Sequence, residues 1–337
     1  MKKWLIMLVT VLTMSMFLAA CGDSGNGGNA GEGGEGGSEE DFKTDIQLGT
    51  GSTGGTYFPL GQEMATVMKK NVDVEGFNVS AVSTGASVEN LAKIGRGELQ
   101  LGMTVHIPAL NAANGEGEFE GSKIENFGFM GHIYPEVMQV VTLNSTGVGT
   151  IADLKGKKVA IGPPGSGTQA AAKQILEAYG LSDGDYEAFE EGFGDAKKKL
   201  QDGQLDATFG FLGLPAASVD ELYAATKDVK YLEIEGDALN SLLENTDYQE
   251  FTIEADTFEW LEEPVATVTA YAILVGSTNQ ISEELGYQIT KAMIENSGDI
   301  SHEQGAHITE ENALKGSEGL PMHPGAEKYY KEIGLLD

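Results

Sequence analysis

From residue 45 onward, short apolar runs alternate with stretches whose apolar residues recur at helical spacing. This alternation is the mark of an α/β chain. Strands are predicted over 45–50, 77–83, 99–105 and 127–131, with helices over 62–70 and 88–95. A second set begins with a helical turn at 151–156, a strand at 158–161, a loop at 163–168 and a helix at 169–179. Further alternation follows at 186–189, 194–201, 207–211, 215–226 and 230–234, and helices close the chain at 282–296 and near 325–333.

Two runs stand apart. Residues 136–143 (EVMQVVTL) and 265–275 (VATVTAYAILV) are nearly continuous in apolar character, as strands buried on both faces are. They bracket the second set, as two crossings between two lobes would. Lobe 1 then takes 45–135 plus 276–337, lobe 2 takes 144–262, and hinge strands occupy 136–143 and 263–275. Hinges bend at a few residues near element ends. Trp260, the only tryptophan besides Trp4, falls near the second crossing.

The first 21 residues follow another pattern. Lys2 and Lys3 precede a mostly apolar run from Leu5 to Phe17, and Leu18-Ala19-Ala20-Cys21 has the form of a lipobox. Residues 1–21 are therefore expected to be a lipoprotein export signal, the apolar run being short for a membrane span. Cys21 is the only cysteine, so a disulfide within the chain is excluded and lipidation is the economical use of it. Acyl chains there would anchor the protein to the outer face of the cell membrane. Residues 22–44, rich in Gly, Ser, Asn and Glu, read as a flexible tether with a span of roughly 25 Å.

Charge and composition then remove several function classes. The formal net charge is −31, which excludes a nucleic-acid surface and attachment to anionic lipid by charge. The acidic residues are scattered, without the spacing of a calcium loop. No G-x-S-x-G or H-E-x-x-H sequence occurs, and the five histidines are dispersed, so neither catalytic residues nor a metal or other cofactor is expected. His106 and His132 follow strand ends, within reach of a cleft. Arg96 is the only arginine and has a surface setting, Ile94-Gly95-Arg96-Gly97-Glu98.

The candidate chemistry lies in polar turns between strands and helices. The first, Gly49 to Gly61, carries Thr50, Ser52, Thr53 and Thr56 among glycines, with Tyr57 following. A helix start offers unpaired N–H groups and the positive end of its dipole, which suits an anion. Gly49-x-Gly51-x-x-Gly54 formally matches a dinucleotide fingerprint. That fingerprint also needs an acid closing the second strand, where this chain has Val82-Ser83-Thr84-Gly85. The second turn runs from Ser83 to Asn90, with Ser87 at the expected N-cap. The third, Gly162 to Gln169, contains an S-x-x-Q capping box at Ser166 and Gln169, with free N–H groups expected at Gly167 and Thr168. Tight-turn or capping roles alone remain open for all three. Phe211, in the turn 209–215, would supply an apolar wall, and valine at Gly55 is expected to abolish binding.

The motif order TGSTGGTYFPLG, STGASVENL, GELQLGM, PPGSGTQ and MHPGAEKYY resembles the TAXI solute-binding proteins of TRAP transporters, from Ile46 to Tyr330. The resemblance implies a two-lobed type II periplasmic-binding-protein fold with a ligand cleft between the lobes. It implies a small carboxylate ligand (glutamate, glutamine or a related dicarboxylate), no catalysis and delivery to sodium-coupled integral membrane subunits. Carried over by position, the ligand contacts are Thr50, Gly51, Ser52, Gly54, Gly55, Thr56 and Tyr57, Ser87 with Asn90, and Ser166, Gly167 and Thr168. Thr104-Val105-His106 departs from the family's polar pattern after the third strand, which leaves the substrate open and adds His106 to the candidate contacts. A monomer is expected. The alternatives are a receptor for another transporter or a sensor kinase, or an exported α/β enzyme.

Overall fold

The computed structural model describes residues 42–337; the predicted signal, Cys21 and 22–41 of the tether lie outside the described residues. Two long antiparallel strands, β4 (Phe127–Leu143) and β10 (Val265–Ser277), run through the middle of one sheet. On one side lie β1 (Asp45–Gly49), β2 (Asn78–Val82) and β3 (Leu101–Val105), parallel to one another. On the other lie β5 (Lys158–Ala160), β6 (Glu187–Phe189) and β7 (Ala207–Leu212), with β5 parallel to both neighbours. The order is β2-β1-β3-β10-β4-β7-β5-β6, while β8 (Val229–Tyr231) pairs with β4 and β9 (Gln249–Ile253) with β10. Each trio has the strand–helix alternation of a doubly wound unit.

The helices that follow these strands are α1 (Tyr57–Asn71), α2 (Ser87–Gly95) and α3 (His106–Asn114) on the first side. On the second side they are α4 (Gly167–Ala178), α5 (Phe193–Gln201) and α6 (Ala217–Thr226), followed by α7 (Gly236–Asn245). The C-terminal α8 (Glu283–Glu295) and α9 (Pro324–Glu332) return to the first side.

Packing divides the chain at the crossings. One cluster joins Ile46, Leu48, Met64 and Leu91 to Tyr134, Ala272 and Tyr329. Two others hold Val137, Met138, Phe209, Leu222 and Ala270. The switch falls between Tyr134 and Val137 on β4 and between Ala270 and Ala272 on β10. Pro135, opposite Tyr271 at that point, can donate no ladder hydrogen bond.

Several elements differ from their predicted form. The strand predicted over 127–131 and the run 136–143 are one 17-residue strand, because the pairing with β10 resumes after each of two register shifts even where His132, Pro135 and Glu136 break the apolar pattern. Helix α1 begins at Tyr57, earlier than predicted, and accommodates Pro59 in its first turn, where the missing N–H is harmless. Helix α3 was not predicted. It is short, with His106, Ile107, Pro108, Ala109 and Ala112 buried, and it ends on the left-handed Gly115. Helix α7 and strand β9 were also missed. Trp260 stacks on Tyr223, Tyr231 and Phe258 in the second lobe, away from the crossing.

Two residues expected at the ligand instead join the strand ends. Asn90 is fully buried; its Nδ2 donates to the Thr50 and Met103 carbonyls at 2.8 Å each, and its Oδ1 accepts from Thr84 Oγ1 at 2.7 Å. Thr50 is equally buried and donates through Oγ1 to the Val82 carbonyl at 2.7 Å. Together they tie β1, β2 and β3 where the polar turns leave the sheet. Asn90→Ala would strand these carbonyls, so urea unfolding should show a loss of about 2–4 kcal/mol. A loss below about 0.5 kcal/mol would remove Asn90 from this role.

Candidate ligand-binding cleft

The C-terminal ends of the parallel strands, or the turns that leave them, border one cavity of about 60 Å³. The β1–α1 turn gives Gly51, Ser52, Gly55, Thr56 and Tyr57; the second gives Ala86 and Ser87; Val105 ends β3. From the other lobe come Gly162, Pro163, Ser166, Gly167 and Thr168, Phe193 at the start of α5, and Phe209 to Leu212 of β7. A crevice beyond the carboxyl ends of the strands is where open α/β sheets bind ligands. Here two such crevices face each other.

The lobes are closed on one another. Gly54 and Gly194 meet backbone to backbone, so a Cβ on Gly54 would collide with Gly194. A Cβ on Gly192 would sit 2.7 Å from Ser52 Cβ, and one on Gly167 would sit 2.8 Å from Val105 Cγ2. Thr56 Oγ1 accepts from Gly213 N at 3.1 Å, and Gln304 Nε2 donates to the Leu214 carbonyl at 2.8 Å. The Gly165 carbonyl accepts from Val88 N at 3.0 Å and Glu89 N at 3.2 Å. The Val88 and Glu89 amides of the first turn of α2 thus serve as a latch between lobes, while Ser87 stays on the cavity wall. Ser87 is not the N-cap of α2. Ala86 holds that place with φ 74°, a strained backbone for a residue with a side chain, and Ser87 Oγ accepts from Val105 N at 3.1 Å.

The start of α4 fits its prediction more closely. Ser166 is the N-cap and accepts from Gln169 N at 3.0 Å. Gln169 does not complete a capping box; its Oε1 accepts from Gly165 N at 3.4 Å. Gly167 and Thr168, the first two helical residues, lie on the cavity wall with N–H groups that an α-helix cannot satisfy internally. Thr168 Oγ1 accepts from Phe211 N at 3.2 Å, which leaves its own hydroxyl proton to donate.

Of the other expected contacts, Gly51, Ser52, Gly55, Thr56, Tyr57, Ser87, Ser166 and Phe211 line the cavity, whereas Thr50, Asn90, Gly54 and His106 do not. Gly54 is consumed by lobe closure. His106 is buried at the start of α3, where its Nδ1 accepts from Tyr271 N at 3.1 Å. His132 also packs against Tyr271. Burial lowers their pKa values to about 4 and about 3, so both rings are neutral. Gly55 has room for a Cβ, whose nearest neighbour would be 3.4 Å away, so the glycine that sterics demands is Gly54. Arg96 pairs with Glu98 on the surface.

Glu136 was missed as a site residue. It lies on the cavity wall, 3% exposed, at the crossing point of β4. Its Oε1 accepts from Tyr134 Oη at 2.9 Å and its Oε2 from Tyr57 Oη at 3.2 Å. Burial raises its pKa from 4.5 to about 8, against the pull of the two hydroxyls, so at neutral pH the carboxyl is mostly protonated. Its sequence signal was an acid heading an apolar run, which reads equally well as a strand boundary. Among the described residues, no Lys or Arg lines the cavity. Among the described residues, no three His, Cys, Asp or Glu side chains group as a metal site.

Two parallel trios joined by crossing strands, closed over one cavity, make a two-lobed α/β fold. The chain belongs to the NMT1-like family, which it matches over residues 48–334. Its fold is similar to that of PhnD1 from Prochlorococcus marinus, solved with methylphosphonate: TM-score 0.52, 11% identity, covering 86% of this chain and 98% of that one. It is also similar to a binding protein component of an ABC phosphonate transporter from Pseudomonas aeruginosa: TM-score 0.51, 9% identity, covering 78% and 77%. At such identities the likeness is one of fold.

Because the Glu136 carboxyl holds its proton more tightly folded than unfolded, its contribution is intact below pH 4.5 and is lost as pH rises to about 8. Glu136→Gln should therefore gain stability relative to the parent between pH 5 and 8, by up to about 4 kcal/mol. Urea midpoints measured across that range would show it; a pH-independent difference would mean that the carboxyl ionises normally.

Proposed function

We propose that the protein is an extracytoplasmic solute-binding lipoprotein, anchored through Cys21, that captures a small carboxylate and delivers it to a membrane transporter. The observation that carries this reading is the cavity itself, walled by hydroxyls and by the first-turn amides of α4 at Gly167 and Thr168. Such a helix start receives a carboxylate without a basic side chain, through oriented N–H groups and the helix dipole. Phe193, Phe209 and Phe211 cover the remainder of the solute. The motif resemblance favours a TRAP-type partner and a ligand related to glutamate or glutamine. Family membership and fold are compatible with other transporters as well, and the Pseudomonas relative serves an ABC system.

In this reading the lobes pivot where the cores switch, near Pro135 and Glu136 on one strand and Ala270 and Tyr271 on the other. A solute bridging both walls has more contacts in the closed form and shifts the equilibrium toward it. The Gly54–Gly194 contact and the Gly165 latch form only on closure.

A thermal-shift screen over amino acids, dicarboxylates and phosphonates tests the ligand class. A true ligand at 100 times its Kd adds about 2.7 kcal/mol, a clear rise in Tm. No shift with any carboxylate would reject the carboxylate reading, and a shift with phosphonates alone would replace it. Gly54→Val should prop the lobes apart while leaving each core intact. The expected results are a larger radius of gyration by X-ray scattering and a loss of at least about 100-fold in affinity. Gly55→Val should be much milder. Unchanged affinity in the Gly54 variant would rule out closure at that contact as a condition of binding.

A further inference from the structure

Amides and hydroxyls account for an anionic group, but they leave the one ionisable acid of the cavity without a function. Among the described residues, Glu136 is the only Asp, Glu, Lys, Arg or His side chain on the wall. Its surroundings are unusual for a passive residue. From α1 comes the Tyr57 hydroxyl and from β4 itself the Tyr134 hydroxyl, one to each carboxylate oxygen. From strand β10, Thr269 Oγ1 donates to the Glu136 backbone carbonyl at 2.7 Å. Strand β7 adds the apolar Phe211 and Leu212 to the wall. Burial keeps both tyrosines well above their ordinary pKa, so they remain donors.

We propose that Glu136 is the site for a cationic nitrogen on the solute. The ligand is then a zwitterion, with its carboxylate at the start of α4 and its ammonium against Glu136. This rests on the carboxylate reading above and narrows it. A buried ion pair is favourable only when its remaining hydrogen-bonding capacity is met, and the two tyrosine hydroxyls meet it on the protein side. A dicarboxylate without a cation would instead place added negative charge beside a buried acid. The chain's net charge of −31 also disfavours approach of a dianion relative to a zwitterion.

Proton balance is simple. The empty site holds Glu136 as the neutral acid, the ligand arrives as R–NH₃⁺, and the complex holds carboxylate and ammonium with one H⁺ released. Calorimetry on the full chain with the amino acids and their deamino carboxylates tests it, L-glutamate against glutarate being the simplest pair. The tightest binders should carry the ammonium group. At pH 7, comparison of phosphate with Tris buffer should show release of nearly one proton per ligand. Affinity should rise about tenfold from pH 6 to pH 7 and level off above about pH 8. Glu136→Gln should weaken amino-acid binding at least tenfold, abolish proton release and leave glutarate binding equal or improved. Glutarate binding as tightly as L-glutamate, or amino-acid binding without proton release, would overturn the ammonium site while leaving the carboxylate reading intact. If no carboxylate of either kind binds, both fall together.

Discussion

The two antiparallel strands that pass through both lobes are the constraint on which the rest depends. β4 and β10 pair with each other along most of their length, and each also carries a parallel trio on its outer edge. That arrangement points the carboxyl ends of both trios at the same gap. It also makes the residues at the crossing serve two cores at once. Pro135 and Glu136 sit there, where the ladder lacks a donor and where a carboxyl faces the cavity rather than a packed interior.

Closure is governed by backbone approach more than by side-chain packing. Glycines at 54, 192, 194 and 167 let main chain from one lobe come within contact of the other. The Gly165 carbonyl takes the free amides of α2 across the gap. One helix start is therefore spent on holding the lobes together, while another, that of α4, faces the cavity. The same physics of unpaired first-turn donors produces both outcomes, and only the partner differs.

Electrostatics within the cavity follows from what is missing from its wall. With no Lys or Arg on the wall among the described residues, the proposed anion would be held by partial charges on amides and hydroxyls, which orient without bringing a full charge. The single acid is held neutral by burial until something compensates it. Polarity in this cleft is thus mostly neutral at rest.

Much of this was legible in the sequence. Runs of apolar residues with period 2 or 3.6 are local properties, and they gave the α/β alternation, the two long strands and the three polar turns. Capping of α4 by Ser166 was readable because a cap and its acceptor lie three residues apart. The fates of Thr50, Asn90 and His106 were not readable, because their hydrogen bonds go to Val82, Met103 and Tyr271, residues separated from them along the chain. Sequence shows that a polar atom exists, but not whether a neighbour has already taken its hydrogen bond. Glu136 is the sharpest case. Its letter in an apolar run could mean an exposed strand end or a buried acid, and only the tertiary packing of two tyrosines and two lobes around it decided which. The sequence by itself determined which elements form and where bare amides and hydroxyls cluster. The tertiary structure decided which of them remain free to meet a ligand, because freedom from a partner is a property of the whole fold.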